Sequence, residues 1–593
     1  MNIDGGQRKG NNLFYSLEKF SITEGTEAIF ANAPDVENIF VRITGESISY
    51  INGVLRTRGE ANFFLVNPRG IIFEENVRLD VNGSFVATTA NSIQFEDGTK
   101  LLASESEPIL TISVPVRLNF DGNSVAVTVN GTGNQIVSES SVSQIKSAQI
   151  PRGISVPSER TFALVGNGVN LNGGIVSTTE NGQICLSSLN FGSVDINRAK
   201  NGFTLTTSNV TEYQDINLDR QSLVDASGKQ TGSISLTGKN INILNESFVL
   251  SQNRGDLPGG SLNIQASESL TVSGRSAKSD IRSSIRSESL NNGEGADLNI
   301  SAHNVFFRNG ARIRTNSFGK AVGGNIAIEA SDSIQLTAPS SIIATTFAAG
   351  NAGNVSLSAL QLRVDASGVG SSSNGNGNSG RLDITADSIE ILGTSSIDRA
   401  SITTATFAAG NASNLTLNTK KLQITDGASL SSSSFANGNA GDLTVNASKS
   451  VEVKGKRNSP KSTDNPHSTI RAAVQTVSPA ARKALKLPDI PGGNSGNVTI
   501  TTSVLSIVRE GVVTVENQGS GIGGGLNINA KQLNLEEAGK ITAATKSGTG
   551  GIVNLNTESI RIGTNSQIIA TADNNSGSGN LTINTTSIIV EKQ

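Results

Sequence analysis

From residue 232 onward one short phrase recurs: a Gly or other small residue, a spacer, then an apolar-x-apolar triplet, as in Gly232-Ser-Ile-Ser-Leu236 and Gly353-Asn-Val-Ser-Leu357. Its copies open at Gly232, Gly260, Ala296, Gly324, Gly353, Gly380, Ser413, Gly441, Gly496, Gly524, Gly551 and Gly579. The intervals are 28, 36, 28, 29, 27, 33, 28, 55, 28, 27 and 28 residues. A period in this range signals a solenoid, whose units bury their apolar faces only against one another. The 36 and 33 read as loop insertions. The 55 reads as two periods, or as one period carrying a large insertion.

One unit, residues 413–440, shows what each coil is made of. Asn414-Leu-Thr-Leu-Asn418 alternates polar and apolar residues, Lys421-Leu-Gln-Ile-Thr425 alternates again, and Gly427-Ala-Ser-Leu-Ser-Ser432 gives a third short stretch. Alternation with period two is the strand signal, and nothing here has helical spacing. About three short strands per coil, with Gly and Asn at the corners, describe an all-β, single-stranded parallel β-helix. Leu and Ile point inward, and Thr, Ser, Asn and Gln outward. Corners with positive φ are the expected reason for the glycines.

The composition follows from such a coil. A narrow interior accepts stacked Ile, Leu, Val and Ala, and the chain of 593 residues has 63 Gly, 4% aromatics and no Trp. Composition also excludes functions. A single cysteine, Cys185, permits no intramolecular disulfide and no cysteine metal site, and is expected to be a packed small residue. Only His303 and His467 offer imidazole, so a histidine metal site or a Ser-His-Asp triad is not expected. A net charge of −3 leaves no basic footprint for nucleic acid. No apolar run is long enough for a transmembrane helix.

Residues 454–494 break the pattern, with Lys454, Lys456, Arg457, Lys461, Arg471, Arg482, Lys483, Lys486 and five prolines. Within them, Ser478-Pro-Ala-Ala-Arg-Lys-Ala-Leu-Lys486 reads as a short helix with Ser478 as N-cap and Pro479 at its first position. Two readings stay open: an exposed loop off the stack, or a basic contact site for an anionic surface or glycan.

The first hundred residues differ, holding nearly half of the 20 phenylalanines and two of the three tyrosines. Ala61–Phe73 reads as strand, tight turn and strand, with Pro68 pre-setting φ and Gly70 free to take an unusual one. Leu79–Ala90 reads as a second strand pair, bending at Asn82-Gly83.

Three stretches here resemble the haemagglutination-activity, or two-partner-secretion, domain of filamentous-haemagglutinin-like exoproteins, most closely the cyanobacterial form. Ile3-Asp-Gly-Gly6 with Gly10-Asn-Asn-Leu-Phe-Tyr-Ser-Leu-Glu-Lys-Phe20 resembles the family's early Asn-Leu-Phe-His-Ser-Phe region, with Tyr15 where that pattern has His. Asn67-Pro-Arg-Gly-Ile71 resembles its Asn-Pro-Asn-Gly-Ile motif, with Arg69 replacing the second Asn. Val81-Asn-Gly-Ser-Phe-Val-Ala-Thr-Thr-Ala90 resembles its Gly-Ser-Phe-Val-Ala-Thr-Thr-Ala run. The likeness is dense over residues 3–120 and continues more weakly, as at Thr161–Gly166 and Val224–Gly228.

The resemblance implies a right-handed parallel β-helix exported through an outer-membrane β-barrel transporter partner, and a secreted, surface-associated, adhesin-like and non-catalytic role outside the cell. Surface glycans or proteins of neighbouring or host cells are the implied further partners. By analogy Asn12 and Phe20, and Asn67, Pro68 and Gly70, form the secretion motif; the alternative is that they only shape turns and fill the first coils. The expected organisation is a secretion domain over 1–120 lacking its first strand, irregular coils over 121–230, and 28-residue coils over 231–593. Met1-Asn-Ile-Asp-Gly-Gly6 has no signal-peptide character, so a misplaced or truncated start is expected.

Parallel β-helices also host polysaccharide lyases and hydrolases, which need charged side chains grouped over adjacent coils. Asp297, Asp383 and Asp442 could form a partial acidic ladder, but Asn325, Asn354 and Asn414 intervene. Solvated outward residues are the expected outcome, with no catalytic residue, no metal and no cofactor; the calcium-binding Gly-Gly-x-Gly-x-Asp repeat is not found. The alternatives are a polysaccharide-acting enzyme and an inert surface filament.

Overall fold

The computed structural model describes residues 1–104, 110–136, 143–146, 153–199, 202–275, 281–395, 399–457, 466–546, 550–572 and 579–591. The chain divides into two compact units: Met1–Ser287 with Ala296–His303, and Glu288–Gly295 with Asn304–Gln593. Each is a stack of parallel β-coils. Among the described residues no helix is long and apolar enough to cross a membrane.

In the second unit each coil has the three short runs its alternation requires. The first two join as one strand bent at a corner, such as Leu415–Thr425, and the third is separate, as in Ser429–Ser434. Successive coils pair in parallel, in register: Leu382 with Leu415, Leu415 with Leu443, Ile402 with Leu430. Aliphatic columns result, for example Ile384, Leu417, Val445, Ile500 and Ile528, all essentially inaccessible to water. Apolar burial worth about 1.5–3 kcal/mol per side chain holds each coil to the next. The 55-residue interval is one coil with an insertion, because Leu443 pairs directly with Val498. The insertion carries the expected helix, Pro479–Leu485, with the Ser478 hydroxyl accepting from the Ala481 amide at 3.3 Å. Lys461 lies outside the described residues.

The glycines that open the repeated phrase have a different cause from the expected one. None of Gly353, Gly380 and Gly524 adopts a positive φ. A Cβ on any of them would overlap the carbonyl oxygen of the phrase-opening glycine one coil earlier. The constraint is therefore close approach of backbone to backbone, not handedness. Positive φ occurs instead at the corner between the second and third runs, at Asn309, Asp426, Glu510 and Asn565. The acidic ladder is also absent. Asp442 precedes Leu443 whereas Asp383 follows Leu382, so the two occupy different columns, and Asp383 pairs with Arg381 at 2.6 Å.

One outer file of this unit is tied from coil to coil by backbone hydrogen bonds. The residue that follows each third run donates its amide to the coil before: Phe347 to Ser317, Asn374 to Thr346, Phe407 to Ser373 and Phe435 to Thr406, at 2.8–2.9 Å. Gln475 and Lys546 continue the file in the same way, bonding to Ser434 and Asn517.

The first unit adds a layer. Asn12–Leu17, Asn38–Ile43, Asn62–Val66, Phe85–Thr88, Thr161–Gly166 and the start of Gln183–Ala199 stack in parallel. Most of these strands are buried on both faces. Leu13, Ile39, Phe63, Phe85 and Phe162 fill one face; Phe14, Phe40, Phe64, Val86, Ala163 and Cys185 form the column on the other. That second face is covered by an antiparallel sheet of Ser92–Phe95, Lys100–Leu102, Pro115–Asp121, Gln183–Ala199 and Gly202–Tyr213. Gln183–Ala199 serves both layers, leaving the parallel stack and entering the antiparallel one near Gly192, whose φ is +132°. The phenylalanines of the first hundred residues follow from this: a strand covered on both faces needs bulk on both faces.

Candidate functional site

The two motif asparagines lie at opposite ends of parallel strands. Asn12 opens the strand Asn12–Leu17, and Asn67 directly follows Asn62–Val66. In register, Asn67 lines up with Leu17, so the two asparagines are five residues apart along the strands, about 17 Å. The structure does not bring them together.

Asn12 is buried and anchors a chain of side chains. Its Nδ2 donates to the carbonyls of Thr111 and Ser113 at 3.0 and 2.8 Å, and its Oδ1 accepts from Asn38 Nδ2 at 3.0 Å. Asn38 Oδ1 accepts from Asn62 Nδ2 at 3.0 Å, Asn62 Oδ1 accepts from the Ser84 amide at 3.0 Å, and the Ser84 hydroxyl accepts from the Thr161 amide at 3.1 Å. Five coils are tied along one edge. The segment gripped by Asn12 is held from its other side by Asp97, which accepts from the Thr111 hydroxyl and from the Thr99 amide. Hydrogen bonds from Thr111 and Thr99 hold the Asp97 carboxyl at about 2, below its ordinary 3.8. Phe20 is buried, its ring 5.7 Å from that of Phe30. Tyr15 also faces inward, 5.1 Å from Phe30, and burial raises its phenol above the usual value.

The second motif is a closed turn. The Gly70 amide donates to the Asn67 carbonyl at 3.1 Å, and Asn67 Oδ1 accepts from the Arg69 amide at 2.9 Å. Asn67 Nδ2 donates to the Ser47 carbonyl and to the Ser49 hydroxyl, both at 3.0 Å, so a fully buried amide has every polar atom matched. Gly70 takes φ +114°, a value that a side chain rarely adopts, and its carbonyl accepts from the Ser49 amide at 3.1 Å. Pro68 is half-buried. Arg69 is exposed and pairs with Glu46 at 2.8 Å. Of the implied motif, Asn12, Phe20, Asn67 and Gly70 are therefore internal, and the exposed surface of the turn comes from Pro68 and the neighbouring Arg69.

The sequence reading missed Asn38, Asn62 and Asp97. The signal was present: Asn12-Leu-Phe, Asn38-Ile-Phe and Asn62-Phe-Phe repeat one pattern at intervals of 26 and 24 residues. Cys185 is buried against the antiparallel layer, and desolvation pushes its thiol up to about 11. Among the described residues no group of three or more His, Cys, Asp or Glu could hold a metal ion.

Residues 1–239 match the family model described as the TPS secretion domain. Among solved structures, the crystal structure of the HMW1 secretion domain from Haemophilus influenzae is similar at 11% identity, over 99% of this chain and 97% of that one, with a TM-score of 0.26. No curated protein matches this chain. The family match supports an exoprotein of two-partner secretion.

Proposed function

We propose that the chain is the exported partner of a two-partner-secretion pair of the cyanobacterial type. The first 239 residues are its address for an outer-membrane β-barrel transporter, and the coils behind them act at the outer cell surface as a non-catalytic adhesin. The observation that carries this reading is the family match over residues 1–239, joined to the geometry of the turn at Asn67–Gly70. In this reading Pro68 and Arg69 meet the transporter, and Asn12, Phe20, Asn67 and Gly70 hold the surface that presents them. A stack whose coils pair only with their neighbours suits export, because coils add one at a time as the chain emerges.

Binding rather than catalysis is the reading adopted, because the cleft of about 870 Å³ beside the Pro479–Leu485 helix is lined by Arg399 and Arg471 and, among the described residues, by no carboxylate. The acid and base pair that glycoside hydrolysis requires has no counterpart there.

The test is export. The chain is placed behind a secretory leader and expressed with and without a two-partner-secretion transporter, and the extracellular protein is measured. Release that depends on the transporter is the expected result; equal release without it contradicts the proposal.

A further inference from the structure

Phe191 is exposed on a strand whose neighbouring apolar residues are not. Leu189 and Val194, beside it on Gln183–Ala199, are fully buried in the antiparallel layer, whereas Phe191 is 42% exposed. The register against Gly202–Tyr213 shifts twice, once on either side of Phe191, and turns it out of the layer. Irregularities of this kind re-aim single side chains. The exposed ring is nevertheless held. It lies against Gly122, where a Cβ would overlap it. The Gly122 amide donates to the Asn190 carbonyl at 3.0 Å. The Asn190 side chain is fixed at both ends: its Oδ1 accepts from Asn167 Nδ2 at 2.9 Å, and its Nδ2 donates to Glu212 at 3.0 Å. An aromatic ring already set in one place and open to water loses little freedom on docking, which is the character of an interface anchor.

The same loops lead back to the turn of Pro68 and Arg69. Val125, 48% exposed, donates its amide to the Pro68 carbonyl at 3.1 Å. The Ser124 carbonyl, next to it, accepts at 2.8 Å from Asn167 Nδ2, the group that also holds Asn190. Hydrogen bonds therefore link the segments that carry Pro68, Val125 and Phe191 along one edge of the first unit. In the register of the antiparallel layer, the residues opposite Phe191 on its two flanking strands are Asp121 and Glu212, both exposed carboxylates. An aromatic centre with an acidic rim fits a partner that offers an apolar pocket rimmed by Lys or Arg.

We propose that the transporter contact extends from the turn across Val125 to Phe191, whose ring enters an apolar, basic-rimmed pocket of the transporter. The proposal rests on the secretion reading above and gives it an anchor residue outside the implied motif. Ile112, 69% exposed beside the segment that Asn12 grips, lies at the other end of the strands and serves as an internal control.

The experiment measures binding of the whole chain to its detergent-solubilised two-partner-secretion transporter. Phe191→Ser is expected to weaken binding by at least about tenfold and Val125→Ser by about threefold, while Ile112→Ser binds like the wild type. The pair Asp121→Asn/Glu212→Gln is expected to weaken binding at low salt and to flatten its salt dependence. A photoreactive phenylalanine at position 191 keeps the ring and is expected to give an adduct with the transporter. That adduct decides the matter if circular dichroism shows Phe191→Ser to be misfolded. Wild-type affinity in a folded Phe191→Ser, an equal loss in Ile112→Ser, or adducts from position 191 that join two copies of the chain or a lipid instead of the transporter overturn the proposal. An adduct from position 69 in the same experiment leaves the secretion reading standing when the Phe191 anchor fails. A wild-type chain that the transporter does not bind overturns both.

Discussion

Asn38 donates its side-chain amide to the side-chain oxygen of Asn12 at 3.0 Å and accepts from Asn62 at the same distance, so one residue holds three coils of the first unit in register. Replacing Asn38 with Leu leaves the Asn12 acceptor and the Asn62 donor unmatched. The expected cost is about 1–3 kcal/mol, the usual penalty for a stranded buried polar group. Amide exchange over Asn12–Val66 measures it: protection falls there and holds in the second unit.

The turn at Asn67–Gly70 separates shape from contact. Gly70→Ala forces a side chain into φ +114° and is expected to cost about 1–3 kcal/mol. Arg69→Ala removes only an exposed ion pair and is expected to change stability by less than about 1 kcal/mol. Denaturant unfolding of the two variants checks the contrast.

Close approach, rather than φ, dictates the repeat glycines. A Cβ on Gly410 would overlap the Gly377 carbonyl oxygen, whereas one on Gly368 has only the Ser401 hydroxyl near it, at 3.9 Å. Gly410→Ala is expected to destabilise the second unit by about 1–3 kcal/mol through overpacking, and Gly368→Ala to be neutral or to stabilise by about 0.5 kcal/mol. Thermal unfolding of both variants is the check.

Cys185 closes the column Phe14, Phe40, Phe64, Val86, Ala163, and its thiol is pushed up to about 11 by burial. A maleimide at pH 8 is expected to leave the folded chain unlabelled and to label it once denaturant is added. Rapid labelling of the folded chain contradicts the antiparallel cover over this column.

Asp97 predicts an acid response. Its folded value of about 2 lies below the ordinary 3.8, so its contribution is complete above the higher value and disappears as the pH falls through the lower. Exchange at the Thr99 and Ser113 amides is expected to rise over that window, and Asp97→Asn is expected to exchange fast there at every pH.

The period, the three runs per coil and the Ser478-capped helix were legible because each is written in local spacing: a period of 28 residues, alternation by two, and a cap followed by Pro479. The antiparallel layer was not. The alternation of Pro115–Asp121 is the same whether its partner runs parallel or antiparallel, and the switch within Gln183–Ala199 depends on Gly192, one glycine among 63. For the residues implied as the secretion motif, sequence could not say that Asn12 and Asn67 are buried while Arg69 is exposed, because burial there depends on Thr111 and Ser49, far away in the chain. The cleft was half visible. The basic insertion drew attention to Arg471, but its neighbours Phe407 and Phe435 are brought to it only by the stacking of coils.

The central claim is that the transporter reads the first unit at the turn of Pro68 and Arg69. Photocrosslinking tests it most directly: a photoreactive residue is placed at position 69, or at the exposed position Leu257 outside residues 1–239, in the whole chain with its transporter. The account predicts an adduct with the transporter from position 69 and none from position 257. Adducts from both positions alike, or from position 257 alone, would contradict it.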